Sequence, residues 1–128
     1  MSLNPFIELL GGKLQRWSDG YAEICIPVAP KLLNSRGVLH GGVAAALLDS
    51  VCGLAGLFNQ EAGLKRVGST LSLTLSYLEK GDGAQIIGKG FVQRKGRSVF
   101  FARGEVWDDR GLLIATAQGV FSHATVAA

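Results

Sequence analysis

Several residues that could take part in a reaction follow one another closely in this sequence. Asn34 and His40 precede the glycine pair Gly41-Gly42, and an acidic residue, Asp49, follows. Asp49 is flanked by apolar residues, where an unpaired carboxylate would cost several kcal/mol. An acid held in such surroundings is a candidate general base or nucleophile. The alternative is a structural acid that is hydrogen-bonded to a serine or threonine of a neighbouring strand.

The glycine pair stands where a long helix is predicted to begin. Backbone N–H groups at a helix N-terminus have no partner within the helix, and the helix dipole favours negative charge there. These groups suit the stabilisation of a carbonyl oxygen that gains charge in a transition state. The alternative is a plain tight turn that leads into the helix.

The spacing between these two groups constrains the site. Gly41 and Asp49 are separated by about 12 Å along a helix axis, at ~1.5 Å per residue. An oxyanion donor and a base must both lie within about 3 Å of the reacting group, so one helix cannot supply both. Two antiparallel helices related by a two-fold axis can. We therefore predict an obligate dimer with two shared sites, and an inactive monomer.

The bulk composition fits a single domain over residues 1–128. The chain has 48% hydrophobic residues and a formal net charge of +3, without the concentrated basic stripe that is typical of nucleic-acid binding. No apolar run is long enough to span a membrane, and no signal peptide is recognised at the start. Cys25 and Cys52 lack disulfide or metal-ligand spacing, which indicates free thiols in a cytoplasmic protein and no metal site.

Hydrophobic periodicity divides the chain into an N-terminal helical segment (1–12), a half-buried strand (Tyr21–Val28), a central helix (41–59) and a β-meander (66–123). The central helix is apolar around nearly its whole circumference, which indicates a helix surrounded by protein. Within the meander, Ser69–Tyr77 alternates between apolar and polar residues, and glycine-containing turns separate the later strands.

Small residues share one face of the later strands, which would let a helix approach the sheet closely. The strand parity places the following residues on that face: Gly88, Gly90, Ala102, Gly104, Ala115, Ala117 and Gly119. A long helix wrapped by a curved antiparallel sheet is the α+β hotdog fold. The alternative is an ordinary β-sandwich in which the glycines form bulges.

The opposite face of the sheet is predicted to be apolar as well. A large exposed apolar patch favours association, so a tetramer formed from two dimers is predicted. The residues placed on this outer face are Ile87, Phe91, Val99, Phe101, Trp107 and Ile114.

The segment Asn34-x-x-Gly37-x-x-His40-Gly41-Gly42, with an acid nine residues after the histidine, resembles the hotdog thioesterases of the PaaI type. These belong with the 4-hydroxybenzoyl-CoA thioesterases. The resemblance extends from about Tyr21 to Phe121 and includes the strand order. It implies that the chain hydrolyses acyl-CoA thioesters, with coenzyme A as part of the substrate and no separate cofactor.

The resemblance also assigns roles to individual residues. The Gly41 amide would polarise the thioester carbonyl, and Asp49 would attack that carbonyl or activate a water molecule. Asn34 would orient the acid, the carbonyl or the water, while His40 would support the loop or face the thioester. Thr70 matches a hydroxyl position at the start of the strand after the helix, where it would position water.

A cationic turn resembles the part of the family that lies beside the coenzyme A tail. Cations and exposed N–H groups suit the pyrophosphate and the 3′-phosphate; the alternative is a solvated hairpin. The residues predicted to bind coenzyme A are Gly42, Arg94, Lys95, Gly96, Arg97 and Ser98.

Two other functions are compatible with a hotdog fold. Hydratases of the MaoC type share the hotdog fold but need Asp-x-x-x-x-His, and Ser35 and Gln118 stand five residues before the two histidines. A non-catalytic acyl-CoA-binding module remains the alternative to an enzyme. The acyl group is expected to be aromatic, as in phenylacetyl, or of medium chain length, and the family resemblance favours the aromatic group. Its pocket is predicted from Gly53, Leu54, Leu57 and Phe58, with a partner's loop near Leu32-Leu33.

Overall fold

A long central helix lies against a curved antiparallel sheet, as the sequence predicts. The computed structural model describes residues 4–128; positions 1–3 of the predicted N-terminal segment lie outside the described residues. The helices are α1 (Pro5–Leu9) and α2 (Gly41–Leu57), with a 3₁₀ turn at Pro30–Leu32. The strands are β1 (Lys13–Ser18), β2 (Tyr21–Pro27), β3 (Leu64–Val67), β4 (Thr70–Tyr77), β5 (Gln85–Lys95), β6 (Val99–Asp108), β7 (Leu113–Ser122) and β8 (Ala124–Ala127).

The strand order corrects the predicted meander over residues 66–123. The six-stranded sheet has the order β1-β2-β5-β6-β7-β4, and β3 and β8 form a separate two-stranded ladder. Only β5, β6 and β7 follow one another as a meander, while β4 lies at the far edge beside β7. Strand β1 adds a further edge that the periodicity did not reveal.

The connection from β4 to β5 contains one of the predicted glycine-containing turns, Gly81-Asp82-Gly83, but it crosses the end of the sheet instead of joining neighbouring strands. After β4 the chain stays beside β7, since the Leu78 N–H donates to the Ile114 carbonyl at 2.8 Å. It then passes the beginning of α2, where the Leu39 N–H donates to the Gly81 carbonyl at 3.3 Å. Residues 78–84 are enough chain to cross, so the glycines shape a crossover.

The face of small residues contacts α2, which confirms that prediction. An added Cβ on Gly88 would lie 2.6 Å from the Leu47 side chain, and one on Gly104 would lie 2.8 Å from the Cys52 sulfur. A Cβ on Gly90 would collide with the Val51 carbonyl. The helix therefore rests directly on strands β5 and β6, and side chains there would force the layers apart.

Polar groups at both ends of α2 fix its length. At the start, the His40 side chain accepts a hydrogen bond from the Gly42 N–H at 2.8 Å through Nδ1. At the end, the Trp17 indole donates to the Leu54 carbonyl at 2.7 Å, and the Gly20 N–H donates to the Ala55 carbonyl at 3.1 Å. Because these groups take the last carbonyls, α2 ends at Leu57 rather than at the predicted position 59.

The outer face of the sheet is less apolar than predicted. Ile114 was placed there by parity but is 2% exposed and packs in the core. A register shift between β6 and β7 near Trp107 interrupts the alternation of inward-facing and outward-facing side chains at that point. Phe101 is exposed and Phe91 is half-buried beneath the Arg103 guanidinium, which lies 4.0 Å from its ring centroid. The outer face thus mixes aromatic and charged side chains.

A buried carboxylate stabilises the turn between β6 and β7. Asp108 is 2% exposed and accepts hydrogen bonds from the Arg110 side chain and from the N–H groups of Arg110 and Leu112. Burial raises the pKa of Asp108, but these hydrogen bonds outweigh it and hold the pKa below its ordinary value. The ionised form is therefore the one that the folded protein favours.

We expect Asp108→Asn to destabilise the fold by about 1–3 kcal/mol at neutral pH, because the NH₂ group that replaces Oδ2 cannot accept the hydrogen bond that the Arg110 side chain donates. Since the folded-state pKa lies below the unfolded value, this stabilisation is present above the unfolded pKa. It is lost as pH falls through the folded pKa. Urea unfolding at pH 7 and below pH 4 measures the difference. Asp82→Asn, on an exposed loop, is the matched control; equal stability of the two variants at pH 7 would contradict the assignment.

Candidate active site

Asp49 lies on the side of α2 that faces away from the glycine-lined strands. The Thr70 hydroxyl donates to Asp49 Oδ1 at 2.6 Å, which joins the middle of the helix to the first residue of β4. The side chain is partly exposed in the single chain, whereas Leu48 and Cys52 are fully buried. The expectation of a deeply buried, unpaired Asp49 is therefore wrong for one chain, and both Thr70 and the solvent-facing side explain how the charge is tolerated.

A small pocket opens beside this pair. Its volume is about 160 Å³, and Asp49 and Thr70 lie on its wall. The apolar part of the wall comes from α2 and β7, and it includes three of the four residues predicted for the acyl pocket; Phe58 is the exception. The pocket is also lined by Gly53, Leu54, Leu57, Phe121, Gly68, Ser69 and Ser122.

The ring of Phe121, which lines this pocket, is stacked on Phe100. Phe121 and Phe100 stack with ring centroids 5.1 Å apart and an interplanar angle of 14°. A Cβ added to Gly53 would lie 3.5 Å from the Phe121 ring, so the bare helix position leaves the pocket open above that ring. Phe121 was not singled out in the sequence; its only signal was its place on the inward face of β7.

Cys52, one turn after Asp49, is not a competing nucleophile. Burial raises the pKa of the Cys52 thiol to about 12, and the neighbouring Asp49 charge acts in the same direction. The thiolate is the reactive form of cysteine, so this side chain is inert near neutral pH. Asp49 therefore stays the candidate nucleophile or base beside this pocket.

The beginning of α2 presents one free amide. The Gly42 N–H is engaged by His40 Nδ1, and its contact with a ligand stays a prediction. Within residues 4–128 the Gly41 N–H donates to no protein acceptor, while the Gly41 carbonyl accepts a hydrogen bond from the Tyr77 hydroxyl at 2.8 Å. His40 thus supports the loop, and Gly41 is left as the available donor.

Asn34 organises the loop that leads into the helix. Its side-chain oxygen accepts from the Arg36 N–H at 2.9 Å and from the Val38 N–H at 3.3 Å. Its backbone N–H donates to the Val38 carbonyl at 2.8 Å. The amide oxygen is therefore used within the chain, and only the NH₂ group is left for the predicted role of orienting an acid, a carbonyl or a water molecule.

The single chain does not bring the two halves of the predicted site together. Asn34, His40 and Gly41 line a pocket of about 410 Å³ at the beginning of α2, whereas Asp49 and Thr70 line the smaller pocket further along. This agrees with the predicted spacing, because Asp49 lies eight positions after Gly41 in α2.

Strand β4 connects these two halves. Thr70, its first residue, contacts Asp49, and Tyr77, its last residue, contacts Gly41. The strand therefore runs antiparallel to α2 and marks both ends of the candidate site. The sequence predicts Tyr77 only as part of the apolar face of this strand. Its hydroxyl group, at the end of an otherwise aliphatic face, is the one feature that could have indicated a polar contact.

The predicted coenzyme A turn is exposed and cationic. Arg94 and Lys95 end β5, and Gly96, Arg97 and Ser98 form the connection to β6. Burial lowers the pKa of Lys95, and the nearby Arg66 cation lowers it further. Positive charge is therefore concentrated at this turn, which gains Arg66, a cation that the sequence did not indicate.

The described residues, 4–128, contain neither a metal-ligand cluster nor a helix that could span a membrane. No group of three or more histidine, cysteine, aspartate or glutamate side chains in this range is arranged to hold a metal ion. None of the helices in the same range has the length and apolar character needed to cross a bilayer.

The architecture and the polar groups along α2 place this chain among the hotdog proteins. It superposes on the structure of the Escherichia coli PaaI protein from the phenylacetic acid degradation operon with a TM-score of 0.81 at 18% identity, covering 94% of this chain and 85% of that one. This confirms the predicted fold. The sequence model of the thioesterase superfamily, 4HBT, matches residues 36–115, and the chain belongs to that family.

Two further relatives are similar over most of their length. The medium/long-chain acyl-CoA thioesterase YigI of Escherichia coli K12 is 30% identical over 131 residues, which cover 91% of this chain and 84% of that protein. A crystal structure of a Shewanella oneidensis protein related to the thioesterase superfamily is 31% identical with a TM-score of 0.81, covering 93% and 86% of the two chains. The family resemblance drawn from the HGG-plus-acid segment is thus confirmed.

Proposed function

We propose that this protein hydrolyses acyl-CoA thioesters in sites shared between two copies of the chain. One observation carries the proposal: the Asp49–Thr70 pair and the free Gly41 amide lie at opposite ends of one open edge strand, β4. A carboxylate beside a pocket supplies the base or nucleophile, and an unpaired amide at a helix N-terminus supplies the oxyanion donor.

The properties of β4 support the pairing of two copies. It is an unpaired edge of the sheet, and its side chains Leu71 and Tyr77 are 58% and 56% exposed. Exposed edge strands with apolar side chains favour addition of another strand. Antiparallel pairing of β4 with a second β4 about a two-fold axis would place Thr70 of one copy opposite Tyr77 of the other. Asp49 would then face Gly41 of the second copy.

In such a site the thioester carbonyl would accept a hydrogen bond from the Gly41 N–H. Asp49 would either attack the carbonyl carbon directly or remove a proton from an attacking water molecule. The carbon–sulfur bond then breaks, and coenzyme A leaves as its thiol once a proton is returned. One water is consumed, and the products are the free acid and coenzyme A. Asn34 would contribute through its NH₂ group.

For the acyl group we favour a medium-length straight chain over the aromatic alternative. The pocket beside Asp49 is lined by Gly53, Leu54, Leu57 and Phe121. These apolar surfaces suit methylene groups. The relative YigI carries the description medium/long-chain acyl-CoA thioesterase. Each methylene accommodated contributes roughly 0.8 kcal/mol of burial, so preference should rise with chain length until the pocket is full.

A series of acyl-CoA substrates with a thiol-trapping dye tests the proposal. We expect kcat/KM to increase by about fourfold per methylene from butyryl- to octanoyl-CoA, and phenylacetyl-CoA to be a poorer substrate than octanoyl-CoA. Tight binding of every substrate without release of thiol would instead support the non-catalytic binding module. A preference for phenylacetyl-CoA would overturn the straight-chain assignment and leave the enzymatic one.

We also infer an obligate dimer, and a tetramer made from two dimers through the outer sheet face. The partly exposed aromatic Phe101 supports the tetramer, although Arg103 and Glu105 on the same face make it more polar than expected. Both cysteines are free thiols, which supports a cytoplasmic location. Sedimentation over a range of concentrations measures the assembly.

A further inference from the structure

The imidazole of His123 links the cationic turn to the rest of the fold. His123 Nε2 lies 2.8 Å from the Gly96 carbonyl oxygen, and Nδ1 contacts a terminal nitrogen of Arg66. The backbone N–H of His123 donates to the Ser98 carbonyl at 2.9 Å. The ring also packs against Phe100, with centroids 5.8 Å apart. One residue after β7 thus contacts both sides of the turn.

The two ring contacts determine the tautomer. A guanidinium group can only donate hydrogen bonds, and a carbonyl oxygen can only accept them. Nδ1 therefore accepts from Arg66, and Nε2 carries the proton and donates to Gly96. The chain of hydrogen bonds from Arg66 through His123 to Gly96 is complete only with a neutral imidazole in this tautomer.

We propose that His123, held by Arg66, is a positioning residue that orients the Gly96–Arg97 peptide for binding a phosphate of coenzyme A. In a planar trans peptide, the carbonyl and the following N–H point in opposite directions. Because the Gly96 carbonyl points towards His123, the Arg97 N–H points away from it. Within residues 4–128 this N–H donates to no protein acceptor, and Gly96 and Arg97 are exposed. The inference rests on the proposed function.

The turn lies along the same groove as the reacting carboxylate. The pocket that contains Asp49 and the pocket that contains Ser98 and His123 share three lining residues, which are Gly68, Ser69 and Ser122. A substrate whose thioester lies at Asp49 can therefore extend along these residues towards the turn. An outward N–H beside several cations suits an anionic group at the far end of such a substrate.

The experiment compares substrates with and without phosphates. His123→Phe keeps a ring against Phe100 but removes both hydrogen bonds. We expect it to raise KM for octanoyl-CoA about tenfold, the effect of losing one well-oriented charged contact, with kcat unchanged. Octanoyl-pantetheine, which lacks the nucleotide and the phosphates, should show the same kcat/KM with both proteins. Arg66→Met should behave like His123→Phe.

Two control variants separate positioning from folding or bulk charge. His123→Gln retains an N–H that can reach the Gly96 carbonyl, so its KM for octanoyl-CoA should stay within about threefold of the wild-type value. Lys65→Met removes a cation from the exposed side of the same strand as Arg66 and should leave the ratio of the two substrates unchanged.

A second measurement keeps the outcome independent of turnover. Calorimetric titration with coenzyme A itself should show binding weakened about tenfold in His123→Phe, even if the wild-type protein hydrolyses no acyl-CoA. In that case the proposed function fails and the positioning role stands. An equal loss with octanoyl-CoA and octanoyl-pantetheine, or unchanged binding of coenzyme A, would show that His123 is only structural.

Discussion

Asp49→Asn is expected to lower kcat for acyl-CoA hydrolysis by roughly 10²- to 10⁴-fold, the range for removing one acid–base group. Asparagine keeps the size of the side chain, and its oxygen can still accept the hydrogen bond that Thr70 donates at 2.6 Å. The fold and the pocket should therefore remain, and the lost activity reports the lost charge. Steady-state rates with a thiol-trapping dye measure it.

The matched control for this variant is Glu61→Gln, which removes a carboxylate from an exposed loop beyond α2. It should have wild-type kcat, and all three proteins should unfold at the same temperature. Activity of Asp49→Asn within threefold of the wild type would remove Asp49 from the mechanism. A single turnover in ¹⁸O-labelled water distinguishes a nucleophilic Asp49 from a general base. Label found in the Asp49 carboxylate indicates a nucleophile and an acyl–enzyme intermediate.

Gly41→Pro is expected to lower kcat by about 10²- to 10³-fold, because proline removes the backbone N–H assigned to the oxyanion. Proline is well tolerated at the first position of a helix, where the N–H has no helical partner. The preceding residue, His40, already has the extended conformation that proline requires, with φ −65° and ψ 132°. The helix should form normally, as circular dichroism will measure.

Gly41→Ala is the matched control, since it adds a Cβ but keeps the N–H. Both variants place a Cβ 3.3 Å from the Tyr77 ring, so crowding of that ring is common to the two. A large difference in kcat between alanine and proline isolates the contribution of the amide. Equal activities would mean that the oxyanion is stabilised by some other donor.

Mixing these variants tests whether the site is shared. If each site combines Asp49 of one copy with Gly41 of the other, a mixed dimer of Asp49→Asn and Gly41→Pro contains one intact site and one doubly altered site. After unfolding and refolding together, the mixture should regain about one quarter of wild-type activity, as half of the dimers are mixed and have one working site. No recovery would place both groups in one chain.

The fold could be predicted from the sequence where the periodicity of small or apolar residues indicates which face of a strand or helix is packed. The small residues Gly88, Gly90 and Gly104 shared one face, and that face lies directly against α2. The strand order at β4 could not be derived in the same way, because alternation identifies a strand but not its neighbour. Pairing with β7 depends on the path of residues 78–84, which is set by contacts with the distant Ile114.

The sequence predicts the unusual residues of the candidate site but not its more ordinary ones. A carboxylate within an apolar helix and a glycine pair at the beginning of that helix can be recognised from the sequence alone. Tyr77 and Phe121 cannot, because aromatic residues in strands are common and their contacts with Gly41 and Gly53 require the folded chain. The sequence does not indicate a role for His123, because its partners Arg66 and Gly96 are distant in the chain.

The direct seating of α2 on strands β5 and β6 has a consequence for how this protein tolerates change. The residues of α2 that meet the bare strand positions, Leu47, Leu48, Val51 and Cys52, surround Asp49 in sequence. A methyl group added at Gly88, Gly90 or Gly104 would displace α2 by a fraction of the helix diameter. A displacement near 1 Å is enough to reduce a reaction rate about a hundredfold. Such a substitution is therefore expected to lower activity through displacement of Asp49, as well as to weaken the packing of α2 on the sheet.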